Sequence, residues 1–250
     1  MKKNLLNLNT NNKEKYLLKD GEFFIERASQ QDFLFEKNFL LESGVKANYL
    51  LIVDKEIDEP MSRDWILNDH SQLKSYRLFL KGRNSHKLAF RHNINEAARI
   101  DSRSLVLAIN EEKLNLESIY NFSGYSSFGR VKVDALLAGK AELKFHSDIN
   151  VLPSAQKSDT RVDMTLKLEN DGVRGEIIPG LNIAANDVKA GHSAGTFRLK
   201  TEDLFYLRSR GLNKVEIRDL FVSYLSKSFV AGIKDNKLKE ELIQLIYNSL

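Results

Sequence analysis

In this 250-residue sequence any metal chemistry must come from histidines and carboxylates, because it contains no cysteine. That absence excludes disulfides, zinc ribbons, thiolate nucleophiles and cysteine-held iron-sulfur clusters carried by this chain alone. Of the five histidines, His86 and His92 bracket "HKLAFRH". On a strand they would share a face yet lie about 20 Å apart at about 3.3 Å per residue, too far to chelate one ion. They read as surface or turn histidines. His70 beside Asp69 and His146 beside Asp148 lack a ligand spacing. His192, in "KAGHSAG", is different: its small neighbours leave the imidazole open to another chain or an ion.

Other chemistries find little support. Neither a phosphate-binding loop with a G-K-[ST] ending nor a dinucleotide glycine fingerprint is present. The glycines of "GYSSFG" flank four residues, not three as in a serine-nucleophile elbow, and the stretch reads as a turn. The pairs Asp58 with Glu59 and Glu111 with Glu112 read as solvated loop charges. Basic and acidic residues number 38 and 34, interleaved throughout, so the net charge of +4 describes a mixed surface and not a nucleic-acid patch. No apolar run approaches the roughly 18 residues of a membrane span, and a cytoplasmic location is expected.

The elements that must carry His192 are strands. From about 22 to 190 the apolar residues alternate: Tyr49, Leu51 and Val53; Tyr76, Leu78 and Leu80; Leu105, Leu107 and Ile109; Val131 and Val133; Ala141, Leu143 and Phe145; Val162, Met164, Leu166 and Leu168. Period-2 runs broken by "KGRN", "FSGYSSFG" and "ENDG" predict many short strands, as in a sandwich, barrel or β-solenoid. No repeat of fixed period singles out the solenoid. "FFIERASQQDFLFEKNFLLES" fits strands or a short helix, and "EPMSRDWILND" reads as a loop. "LNIAANDVKAGHSAG" predicts strand, turn and strand.

After Thr196 the period becomes helical. Thr201 can cap a helix that carries Glu202 and Asp203 in its first turn and stops at Gly211. Asn213 with Glu216 forms a capping-box signal, followed by an apolar stripe of Val215, Ile217, Leu220, Phe221, Tyr224 and Leu225. A last helix is expected over 237–247, with Leu238, Leu242, Leu245 and Ile246 on one face. The expected division is a loose leader at 1–20, a β body at 21–195 and a helical subdomain at 196–250.

The stretch "NDVKAGHSAGTFRLKTEDLFYLRSRGL" resembles the C-terminal signature of the SufB/SufD family of the SUF iron-sulfur cluster assembly system. Asp187, Val188, Lys189, His192, Thr196, Leu204, Phe205, Tyr206, Leu207, Ser209, Arg210 and Gly211 match in order, in an Asp-Val strand, a His-containing turn and a helix end. "GRVKVDALLAGKAEL" and "VDMTLKLENDG" resemble the preceding rungs. The resemblance implies a right-handed parallel β-helix followed by a small C-terminal α-helical subdomain. It further implies a SufC-type ATPase docking at the helical end through Phe205, Tyr206, Arg208, Arg210, Gly211 and Phe221. The partner through the β-helix would be a SufB-type subunit or a second copy, with no nucleic acid and no membrane involved.

Many members carry a cysteine two residues before the motif histidine; that position is Ala190, and the residue after the histidine is Ser193. A cysteine-free chain is expected to resemble SufD more than SufB. It would bind no cofactor alone, catalyse no reaction, and lend His192 as a ligand to a transient iron-sulfur cluster at a subunit interface. Two alternatives stay open: a degenerate family member acting only as a structural partner, and a β-helical glycan-binding protein.

Overall fold

The computed structural model describes residues 15–29, 35–57, 59–82, 86–198 and 201–249. Strands fill most of it: β1 (Lys15–Leu18), β2 (Phe23–Arg27), β3 (Glu36–Leu41), β4 (Lys46–Val53), β5 (Met61–Leu67), β6 (Gln72–Phe79) and β7 (Lys87–Ile94). These are followed by β8 (Arg99–Ala108), β9 (Lys113–Phe122), β10 (Phe128–Leu137), β11 (Glu142–Val151), β12 (Asp159–Leu168), β13 (Arg174–Ile183) and β14 (Lys189–Arg198). Odd strands form one seven-stranded sheet and even strands another. Neighbouring strands are parallel, so the chain winds as a β-solenoid of about 6 turns, as the family resemblance implies. Helices α1 (Thr201–Ser209), α2 (Lys214–Val230) and α3 (Asn236–Tyr247) follow.

Alternation decides which side chains enter the solenoid. In β9, Leu114, Leu116, Ser118, Tyr120 and Phe122 are buried while Lys113, Asn115, Glu117, Ile119 and Asn121 face out. Parallel in-register pairing then stacks each position on its counterpart one turn away. Inside, Tyr16, Phe39, Trp65, His92 and Tyr120 form an aromatic column, with centroids 4.1 Å apart for Phe39 and Trp65 and 4.5 Å for His92 and Tyr120. Outside, the amides of Asn93, Asn121, Asn150 and Asn182 form a ladder of hydrogen bonds 3.1, 2.8 and 2.8 Å long. The repeat escaped periodicity because the turns differ in length: the step is 26 residues from Lys46 to Gln72 and 31 from Phe128 to Asp159.

The even-strand sheet is apolar on both faces. Leu50, Ile52, Tyr76, Leu78, Leu80, Leu105, Leu107 and Leu136 point outward and are buried beneath Val222, Leu225, Phe229, Val230, Leu242 and Ile246 of α2 and α3. The alternating triad Tyr76, Leu78 and Leu80 is therefore a strand, as its pattern predicts, but it seats the helices. The opposite face of β6 carries Leu73, Ser75, Arg77 and Phe79 inward.

Several expectations are corrected. "MSRDWIL" is strand β5 and not a loop; its alternation Met61, Arg63, Trp65 and Leu67 is hidden by a buried arginine. "FFIER" and "EKNFLL" are strands, with residues 30–34 outside the described ones. Of the expected leader, residues 1–14 lie outside the described residues and Lys15–Leu18 form β1. His86 is exposed, but His92 is fully buried in the aromatic column. Glu112 is also buried, accepting from the Gly82 N–H at 3.0 Å and from Lys81 Nζ at 3.3 Å. Asp58 lies outside the described residues.

Buried charge is paired in the first turns. Glu26 accepts from Lys37, Tyr49 and Arg63, the last at 2.9 Å, and all four side chains are buried. Burial, followed by the nearby Glu26 carboxylate, pushes the Tyr49 phenol up, so it stays protonated and donates. Replacing Glu26 by Ala would strand two buried cations, and should lower unfolding free energy by about 3–5 kcal/mol in urea titrations.

His92 makes a pH prediction. Burial and then the Arg77 charge hold its imidazole well below the usual histidine value, so it folds neutral. The unfolded chain takes up that proton below about pH 6.5, and stability should fall with pH there by up to about 1.4 kcal/mol per unit. His92→Phe should remove this part of the slope; identical slopes in both proteins would show that His92 is not the group responsible.

Candidate functional site

The solenoid ends at β13 and β14, the edge strands of the two sheets, which close toward each other. Each is ten residues long, and both are largely exposed, in contrast to the strands they pair with. Each edge therefore presents a row of backbone groups unmatched by a further rung. Ile178, Ile183 and Phe197 are among the exposed large apolar side chains. Inward positions of β12 are Thr160, Val162, Met164 and Leu166; in β14 they continue as Ala190, His192, Ala194 and Thr196. Small residues in that column leave the last turn shallow.

His192 lies in the middle of β14 and not in a turn as the resemblance implied. It pairs in register with Val162 of β12, and its Nδ1 lies 3.0 Å from the Pro179 carbonyl of β13. A carbonyl can only accept, so Nδ1 carries a proton, and in the neutral imidazole the lone pair is on Nε2. Nε2 has no protein partner among the described residues, and the side chain is exposed. Orientation of one ring nitrogen by a backbone carbonyl is how proteins commonly fix a ligating imidazole. Alongside it, Ser193 Oγ donates to Asp163 Oδ1 at 2.5 Å and Arg161 contacts both Asp163 oxygens at 2.9 Å. Burial pushes the Asp163 carboxyl up, but the bonds from Arg161 and Ser193 outweigh it and leave the group below its ordinary value. Among the described residues no three His, Asp or Glu side chains converge on one point, so His192 supplies one ligand at most, and His70, His86 and His146 are apart from it.

Beyond β14, α1 and α2 form the second part of the site. The α1 helix ends in a Schellman motif: the Leu212 N–H donates to Leu207 O at 3.2 Å and the Gly211 N–H to Arg208 O at 2.9 Å. Gly211 has φ +89, which only glycine adopts freely. Asn213 then caps α2 with the predicted box, its Oδ1 accepting from Val215 and Glu216 and Glu216 returning to the Asn213 N–H. The helix start is fixed to the solenoid by Arg218, bidentate to Glu169 at 2.6 and 2.8 Å.

These caps hold out an apolar face that the solenoid does not cover. Phe205 is 74% exposed, with Tyr206, Val215, Leu220 and Tyr224 all above one half. Arg208 and Arg210 are exposed beside them, Arg210 lying 5.3 Å over the Tyr206 ring. Of the residues singled out for partner contact, Phe221 differs: it is half-buried against Phe197 of β14, so it joins the helix to the last rung. Of the apolar stripe that the sequence predicts for this helix, Ile217 and Leu225 are buried whereas Val215, Leu220 and Tyr224 are exposed. The stripe is too wide for one face, which was the signal of two contact surfaces.

Comparison with known proteins locates this architecture. The model of the SUF system FeS cluster assembly SufBD core domain matches residues 58–224. An iron-sulfur cluster assembly SufBD family protein of Mycobacterium leprae is 37% identical over 105 residues, 41% of this chain and 26% of that protein. The iron-sulfur cluster assembly protein SufD of Escherichia coli is 29% identical over 111 residues, 44% and 26% of the two chains. SufD of Bacillus subtilis is 25% identical over 146 residues, 58% and 33%. The chain thus matches about a quarter to a third of the length of these relatives.

Because Phe205 and Leu220 make their helix face exposed, a Phe205→Ala, Leu220→Ser variant should keep its stability to within about 0.5 kcal/mol. Gly211→Ala, by contrast, forces a side chain into a left-handed conformation and should cost about 1–2 kcal/mol, with thermal melts of the two variants making the comparison. The reverse order would mean that the apolar face is covered within the chain.

Proposed function

The chain belongs to the SufBD core domain family of the SUF iron-sulfur cluster assembly system, and from that premise we propose that it is a non-catalytic, non-ATPase, SufD-like subunit of a cytoplasmic scaffold complex. In this reading the open last rung receives a SufB-type partner or a second copy of the chain. The cluster is cargo at that interface. With no cysteine of its own, the chain leaves sulfur acceptance to the partner and contributes the His192 imidazole as one ligand to iron. The observation that carries this reading is the oriented ring: Nδ1 held 3.0 Å from the Pro179 carbonyl, with Nε2 unpartnered on an exposed edge strand.

The exposed face of α1 and α2 is assigned to a SufC-type ATPase. Phe205 and Tyr206 supply apolar anchors and Arg208 and Arg210 the charged rim, the composition expected of a docking patch. The α2 helix rests on the even-strand sheet, is tied to the solenoid by Arg218 and Glu169, and meets Phe197 of β14 through Phe221, so a movement imposed on it would reach the rung that holds His192. A structural partner without metal chemistry is the second reading, favoured by Ala190 standing where many members have a cysteine.

Purification from native cells should recover a Walker-motif ATPase and a cysteine-bearing SufB-type protein with this chain; recovery of neither overturns the assignment. His192→Ala should lower iron and sulfide on the assembled complex while the subunits stay associated, and unchanged iron and sulfide would favour the second reading. An Arg208→Ala, Arg210→Ala variant should keep its fold and lose ATPase binding. Retained binding would leave those arginines only a helix C-terminal role.

A further inference from the structure

In the middle turns the solenoid interior changes from apolar to polar. Arg77 enters it from β6 and is 1% exposed. Its Nη1 donates to Ser118 Oγ at 3.0 Å, and its Nη2 to Ser102 Oγ at 2.9 Å and Tyr120 OH at 2.6 Å, while the guanidinium lies 4.5 Å over the Phe90 ring. A guanidinium keeps its charge in any protein interior. Where this chain buries Lys37 and Arg63, it supplies Glu26 to meet them. Arg77 has no carboxylate partner among the described residues. Glu26 sits two rungs away in the same inward column, through Leu51, which is roughly 10 Å at the spacing of paired strands.

Around Arg77 donors are left unused and, among the described residues, no negative charge meets it. Its Nε–H is buried without a partner, as are the hydroxyls of Ser75, Ser104 and Ser147. Register places the first two of these hydroxyls beside it: Ser104 pairs with Arg77, and Ser75 precedes it by two residues on the same face, while Ser147 lies one rung beyond the Ser118 that Arg77 contacts. Ser102 Oγ accepts from both Arg77 and Tyr120, so its lone pairs are occupied. Of the buried unpartnered groups near Arg77, His92 Nε2 is the nitrogen that can only accept, since Nδ1 faces the Ile119 carbonyl at 3.4 Å. Burying an uncompensated charge costs several kcal/mol, and a set of donors with a fixed positive charge is the arrangement that offsets it by holding an anion.

We propose that Arg77, with the hydroxyls of Ser75 and Ser104, forms a buried site for one small monovalent anion of halide size. Ordered water completes the site by donating to His92 Nε2. The anion enters as the turns close during folding and serves as the counterion that the sequence does not encode. It is distinct from the exposed edge at His192, and its presence or absence does not depend on which partners the chain has.

The test uses the full chain folded and crystallised in bromide. An anomalous peak beside Arg77 Nε, within reach of the Ser104 hydroxyl, is expected; water alone at that place overturns the proposal. In solution, replacing glutamate by chloride at constant ionic strength should raise the unfolding midpoint by about 3–5 °C per tenfold increase once chloride exceeds its Kd. Arg77→Met should lose that rise. A rise of the same size in Arg77→Met places the effect on the surface and overturns the proposal, as does a bromide peak with a midpoint indifferent to chloride, which is binding at crystal concentration only. Should Arg77→Met fail to fold, the diffraction and chloride titration of the unaltered chain decide alone.

Discussion

Hydrogen bonding between successive turns is the constraint from which the rest of the structure follows. A strand inside a parallel stack has its backbone groups satisfied from above and below, so the solenoid grows by adding turns and cannot close on itself. Growth has to stop somewhere, and where it stops two strands keep an open edge. Natural sheets blunt such edges with charge, bulges or cover. Here β13 and β14 are long, in register and exposed. An edge left open in this way is suited to receiving another chain, and His192 lies in the middle of it.

The same stacking rule explains the interior. Each inward position is forced against its counterpart one turn away, so aromatic residues collect into a column from Tyr16 to Tyr120 and serines collect around Arg77. Outside, it produces the asparagine ladder on one sheet and a continuous apolar face on the other. That apolar face is what the C-terminal helices cover. They are thereby fixed to several turns at once, while α1 and the first part of α2 keep a second apolar surface uncovered.

Much of this was legible in the sequence. Alternation marks β4, β6, β8, β10, β11 and β12, the turn before "KAGHSAG" separates β13 from β14, and Asn213 with Glu216 marks the start of α2. The SufB/SufD likeness supplied the solenoid, which alternation could not, since turns of unequal length conceal the repeat. What escaped was the direction of side chains. Tyr76, Leu78 and Leu80 alternate as well when they face helices as when they face a core. Buried Arg63 and His92 were hidden for a related reason: a polar residue in an inward position breaks the apolar pattern, and only three-dimensional stacking shows that Glu26 or Tyr120 receives it. The open edge was likewise invisible, because β14 has the length of the strands before it and lacks only a successor.

The central claim is that β13 and β14 are the surface on which a partner subunit completes the stack. Amide hydrogen exchange along the chain measures this directly. In the isolated chain, the amides of 174–183 and 189–198 that point away from the stack should exchange fast while those of β9 to β12 are protected. Mixing with a SufB-type subunit should slow them and leave the outer face of the odd-strand sheet unchanged. Protection appearing on that outer face, with both edge strands still exchanging fast, would contradict the account.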